Sequence, residues 1–382
     1  MIFPAFSRLT LLPGLMVSAG LASCHNPFSD DGAKPSEFVW RTVITEPDSG
    51  GWGGLPAVAD GRVFVAAGRD IVAFDSRTGA ILWRTRVGFG VNPSAVAPNI
   101  LVRDSRLFLS GVAAVFSLDV ATGAIRWQFP TPVQTDRSES SVDDLAMYVG
   151  TRNHKVYALD LNDGHPFWTV DLGSDWQYLG IVEGTAVSGD TVYTVLNRFL
   201  NSNGLYRSGV IVALDRRSGR ELLRYESAGT QHDARGAPAI AGRLLVVSDE
   251  AGTSFFAVDR FTGQEVWRVQ GDPGYFGPNT SPVAVGNTVY VASSDTFIWA
   301  VDLQTGNLRW RTKSAGSYHG TAVCGGKVFG NNQAIDILDQ GTGMLLRTVL
   351  TLRGREFPDS QFATDGERVY VTGTIAAYAI AC

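Results

Sequence analysis

Ile71-Val72-Ala73-Phe74-Asp75, then Ser76-Arg77-Thr78-Gly79, then Ala80-Ile81-Leu82-Trp83 is the stretch whose reading decides the fold. An alternating run ends on Asp, a turn closes on Gly four residues later, and a second run carries Trp eight residues after the Asp. The same order returns at Asp119, Gly123 and Trp127; at Asp160, Gly164 and Trp168; at Asp259, Gly263 and Trp267; and at Asp302, Gly306 and Trp310. Two copies keep the turn and change the aromatic position, with Asp215 and Gly219 leading to Leu223, and Asp339 and Gly343 leading to Arg347. An eighth copy, Tyr378-Ala379-Ile380-Ala381, matches only the first run. Spacings between equivalent positions centre near 42 residues, the length of one four-stranded propeller blade.

The second half of each period is a hairpin upstream of the motif. Pro56 to Val65, Ser281 to Val291 and Thr321 to Phe329 align, with Asp-Gly or Gly-Asn at the tight turn where positive φ is tolerated. Gly79 and its equivalents supply the left-handed turn position, and the Asp and Thr before it hydrogen-bond turn amides that the strands leave unpaired. The Trp then lies flat on the neighbouring blade, which makes Trp40, Trp83, Trp127, Trp168, Trp267 and Trp310 structural docking residues. Phe38-Val39-Trp40-Arg41-Thr42 matches Ile81-Leu82-Trp83-Arg84-Thr85 but has no hairpin in front of it. This strand is therefore expected to complete the last blade. The expected fold is all-β, an eight-bladed β-propeller of four-stranded antiparallel blades over residues 38–382, its edges hidden by closure through the N-terminal strand.

Composition narrows the function classes. The 382 residues carry a net charge of −5 without long single-sign runs, so no polyanion-binding surface is indicated and nucleic acid is not an expected partner. Three Cys in such a length make no disulfide scaffold, and no clustered Cys/His spacing suggests a metal. Cys324 and Cys382 fall on one side of the ring, and export would permit a bond, but alignment places them at different radii, so their pairing is left open.

The motif Ala-x-Asp-x-x-Thr-Gly-x-x-x-Trp resembles the tryptophan-docking repeat of the pyrroloquinoline-quinone (PQQ) propeller superfamily, across essentially all of residues 38–382. The resemblance implies the propeller fold. It implies chemistry less directly, because the superfamily's alcohol and glucose dehydrogenases are often longer, and its alcohol dehydrogenases place a vicinal disulfide over the quinone and supply a Glu/Asn/Asp set for Ca²⁺. Here no two Cys are adjacent, and Cys-x-x-Cys-His for haem is absent. No catalytic residue is assigned, and PQQ is not an expected cofactor.

The N-terminus reads as an address. Arg8, the apolar run Leu9 to Val17 and small residues build a secretory signal, and Leu21-Ala22-Ser23-Cys24 resembles the bacterial lipobox. That resemblance implies cleavage after residue 23 and lipidation of Cys24, followed by a flexible tether over 24–37. His25 stands where Asp would retain a lipoprotein in the inner membrane, so the implied location is the outer membrane, facing the periplasm. Lipobox, tether and propeller together are similar to the BamB-like lipoprotein scaffolds of outer-membrane β-barrel assembly. The implied function is a monomeric, non-catalytic scaffold that is anchored at Cys24 and binds protein partners such as an assembly barrel. A sensor for glycans or envelope fragments, and more remotely a PQQ-dependent dehydrogenase, stay as alternatives.

In a propeller the innermost strands line the central channel, and by alignment that ring includes Asn92, Arg137, Arg235, Asn279, His319 and Gln361. Trp52, Trp176, His232, Asp233, Tyr275 and Tyr318 lie nearby. The Arg137/Arg235/His319 side is the candidate receiver of a carboxylate or a partner loop. His232 and Asp233 are adjacent strand residues pointing to opposite faces, which argues against a catalytic pair. The fourth period is the longest, and its excess, Asn197 to Gly209, has the aromatic and Arg makeup of an interface, with Phe199 and Tyr206 as the candidate contacts.

Overall fold

The computed structural model describes residues 38–44, 55–87, 99–111, 114–131, 135, 138–173, 180–199, 207–227, 234–249, 253–272, 280–313, 320–331, 334–349, 361–373 and 376–382. They form thirty-two strands and no helix, grouped into eight four-stranded antiparallel sheets. Blade 1 runs β2 (Ala57–Ala59), β3 (Arg62–Ala67), β4 (Asp70–Asp75) and β5 (Ile81–Arg86) from inside to outside. Six further blades repeat this order, beginning with innermost strands β6 (Ile100–Arg103), β10 (Ser141–Val142), β14 (Gly180–Ser188), β18 (Ala234–Ala241), β22 (Val283–Val285) and β26 (Gly320–Cys324). Each innermost strand touches the next, and β30 (Ala363–Thr364) of the eighth blade comes back to β2.

Blade 8 is composite. Its order is β30, β31 (Arg368–Thr372), β32 (Ala376–Ala381) and then β1 (Trp40–Val43), with Trp40 opposite Ala379 and Val43 opposite Ala376. The strand from the start of the propeller thus fills the outer place of the last blade, as its match to residues 81–85 requires.

Burial follows from the pleat and the position in the blade. The second and third strands of each blade, such as β3 and β4, are covered on both faces and read as continuous apolar runs. Outer strands such as β5 alternate, with one residue per turn of the pleat facing inward. Apolar clusters bridge adjacent blades: Phe64, Ile71 and Val87 of blade 1 pack with Leu107, Leu109 and Phe116 of blade 2. A single blade has two apolar faces and cannot bury either alone, so the ring itself is the core.

The repeated motif is visible atom by atom. Asp75 Oδ1 accepts from the amides of Arg77 and Thr78 and from the Thr78 hydroxyl, at 3.0, 2.8 and 2.9 Å. Gly79 sits at φ +70°, where a side chain is strained. The indole of Trp40 covers that glycine and donates from Nε1 to the Ser76 carbonyl at 2.8 Å. Trp83 to Val120, Trp127 to Leu161, Trp168 to Arg216, Trp267 to Leu303 and Trp310 to Gln340 repeat the bond from each blade to the next. Leu223 stands in the same slot against Gly263 without a donor.

Cys324 and Cys382 are joined by a disulfide with Cα atoms 5.4 Å apart. The bond corrects the alignment that put them at different radii. Gly325 and Gly326 take φ +57° and +74°, and a Cβ on Gly325 would stand 3.0 Å from that of Cys382. The inner turn of blade 7 and the end of β32 in blade 8 meet across the seam between the two blades.

Candidate functional site

One register unites the innermost strands. Ala57, Leu101, Ser141, Ala186, Ala239, Val283, Ala322 and Ala363 each pair with the equivalent residue of the second strand, Phe64, Phe108, Tyr148, Tyr193, Val246, Tyr290, Phe329 and Tyr370. Two residues upstream of each lies one layer around the axis. Blades 1 to 8 supply Leu55, Asn99, Glu139, Gly184, Ala237, Ser281, Gly320 and Gln361 to that layer.

Glu139 fills its centre. Its Oε2 accepts from the Ser281 hydroxyl at 2.5 Å and from the Ala237 amide at 3.1 Å, and its Oε1 accepts from Gln361 Nε2 at 3.0 Å. One carboxylate from blade 3 therefore ties blades 5, 6 and 8 across the axis. Its own backbone is fixed to blade 4, the Glu139 amide donating to the Glu183 carbonyl and the Thr185 amide donating to the Glu139 carbonyl, at 2.9 and 2.7 Å. Small residues make the approach feasible: a Cβ on Gly184 would stand 2.5 Å from the Ala237 nitrogen, and one on Gly236 would stand 2.3 Å from Ser281 Oγ. Desolvation raises the Glu139 carboxyl above the ordinary glutamate range, and the three donors pull it back in part.

A second polar group sits one step further toward the strand starts. Glu183, 3% exposed, accepts from Asn197 Nδ2 at 3.2 Å and lies 3.8 Å from Arg235 Nη1. Asn197 also bonds both the amide and the carbonyl of Ala234, so β15 (Thr191–Phe199) is laced to β18 at this point. The extra length of the fourth period is used here. The strands β14, β15 and β16 (Arg207–Asp215) have nine residues each, against two to six for their counterparts in blades 2 and 3.

Several predicted site residues take definite places. Gln361 is in the axial layer, and Arg235 lies two residues upstream of that layer's Ala237, so the two are not at one level as the alignment had them. The carboxylate facing Arg235 is the protein's own Glu183. Phe199 ends β15 opposite Arg207. Trp299 is 5% exposed and belongs to the core between blades 5 and 6. Cys24, Trp52, Asn92, Arg137, Trp176, Tyr206, His232, Asp233, Tyr275, Asn279, Tyr318 and His319 lie outside the described residues. Glu139 is the residue that sequence reasoning missed. Its one signal is a charge at a position where the other copies carry Leu, Asn, Gly, Ala, Ser or Gln.

The layer also tests the fit of a quinone with its cation. Among the described residues, the axial carboxylates are engaged by protein donors: Glu139 by Ser281, Ala237 and Gln361, and Glu183 by Asn197 and Arg235. Among the described residues this donor set satisfies its own carboxylates.

Fold and motif define an eight-bladed propeller of the PQQ-like, tryptophan-docked class. A family model described as "Outer membrane protein assembly factor BamB" matches residues 30–175 and 152–332, and the chain belongs to that family. Solved structures agree on the fold. BamB from Moraxella catarrhalis superposes with a TM-score of 0.66 at 15% identity, covering 90% of this chain and 99% of that one. Quinohemoprotein alcohol dehydrogenase from Comamonas testosteroni gives 0.67 at 15%, covering 90% of this chain and 76% of that one. The computationally designed Ika8 protein gives 0.70 at 14%, covering 90% and 100%. A curated relative, the serine/threonine-protein kinase AfsK of Streptomyces griseus, is 26% identical over 187 residues, which are 47% of this chain and 21% of the kinase. The chain spans about a fifth of that relative's length.

Proposed function

We propose that the protein is a non-catalytic scaffold of the periplasmic face of the outer membrane, exported by residues 1–23, lipidated at Cys24, tethered by 24–37, and binding protein partners in outer-membrane protein assembly as a monomeric propeller. Membership of the BamB-described family supports the partner class. The observation that carries the non-catalytic reading is the set of hydrogen bonds at Glu139, whose acceptor positions toward blades 5, 6 and 8 are taken by protein groups. A ring cross-tied at its axis by its own side chains offers its loops and rims for recognition. The Arg235 level and the long hairpin of blade 4, with Phe199 and Tyr206, are the proposed contact regions.

The test is affinity purification of the lipidated protein from gently solubilised envelope, with mass spectrometry and a visible absorption spectrum of the same sample. An outer-membrane assembly barrel without a chromophore is the expected result. A bound quinone spectrum and no stoichiometric partner would overturn the scaffold reading in favour of a dehydrogenase, and co-purified glycan would overturn it in favour of a sensor.

A further inference from the structure

Seven of the eight seams between blades are closed by the same device, a side chain in the outer-strand slot lying on the left-handed glycine of the next blade's turn. The pairs are Trp40 on Gly79, Trp83 on Gly123, Trp127 on Gly164, Trp168 on Gly219, Leu223 on Gly263, Trp267 on Gly306 and Trp310 on Gly343. The seam between blades 7 and 8 has neither half of it. The slot on blade 7 holds Arg347, and the third and fourth strands of blade 8 are β32 and β1, which no turn connects. An indole at position 347 would have no glycine to cover.

We propose that the Cys324–Cys382 disulfide is the lock of the ring, a redox-dependent closure that takes the place of indole docking at the one seam that cannot have it. The bond joins the inner hairpin of blade 7 to the end of the third strand of blade 8, across that seam. Other contacts converge on the same point. Lys327 Nζ donates to the Cys382 carbonyl, the Cys382 amide donates to the Glu367 carbonyl at 2.9 Å, and the Thr364 hydroxyl donates to Cys324 Sγ at 3.3 Å. Cys324 is 5% exposed, so a reductant reaches it after local opening of the seam. The loop closed by the bond spans 58 residues and contains β27 to β32, so the bond restricts the unfolded chain over more than a whole blade.

The chemistry balances with one external co-reactant. The Cys324 and Cys382 thiols give up two protons and two electrons to a disulfide oxidant. One thiolate attacks the oxidant to form a mixed disulfide, the other displaces it, and the oxidant leaves as a dithiol. A dithiol reductant reverses the same steps. The lock concerns the ring itself, so it stands whether or not the scaffold reading does.

The experiment compares the oxidised protein, the same protein treated with dithiothreitol while folded, and the Cys324→Ser/Cys382→Ser double variant. Melting temperature and peptide-resolved hydrogen exchange are the readouts, with intact mass to count thiols. Loss of the bond should lower Tm by roughly 5–10 °C. Exchange should quicken in β1, β32, β26 and β27 (Lys327–Asn331) and stay unchanged in blade 3. Unchanged Tm and exchange would overturn the proposal, and so would a rise in exchange spread evenly around the ring. A double variant that does not fold leaves the decision to the reduced wild-type protein, where the same pair of outcomes applies.

Discussion

Trp40 covers Gly79 so closely that a Cβ on the glycine would stand 2.6 Å from indole Cδ2, and the Thr42 hydroxyl two residues on donates to the Gly79 carbonyl at 2.8 Å. This contact joins the strand that completes blade 8 to the outer turn of blade 1, so the last seam of the ring rests on the first strand of the propeller. Trp40→Ala should therefore cost about 3–5 kcal/mol, the usual range for a buried Trp emptied to Ala. Deleting residues 38–42 should cost more, because it also exposes the outer edge of β32. A denaturant midpoint unchanged by the deletion would refute closure by this strand.

Gly123 sits at φ +74°, with Trp83 Cε3 2.5 Å from where its Cβ would be. Gly123→Ala must strain the backbone by about 1–2 kcal/mol and displace the indole as well. Gly61 has a similar φ with nothing within 4 Å, so Gly61→Ala should show the backbone cost alone. Equal losses of stability in the two variants would mean that the indole contact contributes nothing.

The turn carboxylates predict an acid limb. Asp119 is held down to about 2, first by the Arg126 guanidinium and then by the amide and hydroxyl of Thr122. Asp302 is lowered first by the Arg309 guanidinium and then by Thr305, and Asp75, Asp215 and Asp339 are lowered by turn bonds of the same kind, from Thr78, Ser218 and Thr342 first. A carboxyl depressed in the folded state contributes stability that is complete above its unfolded value near 3.9 and is lost as pH falls toward 2. These turn carboxylates add no slope to the urea midpoint between neutrality and about pH 5 and a decline below it, and Asp119→Asn should flatten part of that decline. A decline already complete by pH 5 would point to other groups.

The fold was legible because each blade repeats one local solution. Asp, Gly and Trp sit at fixed offsets in a turn whose hydrogen bonds are all within a few residues, and local chemistry survives in a linear reading. Even the departure at Arg347 makes sense once β1 is known to complete blade 8. The axial layer was less legible, because Glu139, Ser281 and Gln361 meet only when eight strands share a register, and no spacing in the chain announces a hydrogen bond across a ring. The Cys324–Cys382 bond was hidden for a related reason: it joins the inner turn of blade 7 to the end of the third strand of blade 8 across a seam, and no spacing in the chain announces that approach.

The sequence marks Arg235 as a receiver of carboxylates, and it faces Glu183 at 3.8 Å with that carboxylate almost wholly buried. Arg235→Glu would set two acids against each other and should destabilise the protein by about 2–3 kcal/mol, discounted for the partial exposure of the guanidinium. Arg235→Gln keeps a donor toward Glu183 and should cost under about 1 kcal/mol, so partner binding is best measured in that variant. A partner lost in Arg235→Gln at unchanged stability marks a contact, and a partner retained there places the contact elsewhere, with deletion of 199–206 as the companion measurement.

Glu139 is the residue whose substitution separates hydrogen bonding from charge. A carboxyl raised by burial makes the folded state bind a proton more readily than the unfolded state, so its contribution declines as pH rises from the ordinary glutamate value and levels off above the folded one. Glu139→Gln removes that slope. The new amide can turn its oxygen toward Ser281 and Ala237 and its nitrogen toward Gln361, which rotates its own amide to accept. All three donors or their exchanged partners stay satisfied, and no charge is desolvated, so Glu139→Gln should lie within about 1 kcal/mol of the wild type at pH 7. Glu139→Ala leaves the Ser281 hydroxyl and the Gln361 side-chain amide without their acceptor at the axis, while the Ala237 amide keeps Ser281 Oγ at 2.9 Å, and should cost about 2–4 kcal/mol. If the two variants proved equally destabilised, the negative charge itself, rather than the acceptor pattern, would be what holds blades 5, 6 and 8 to blade 3.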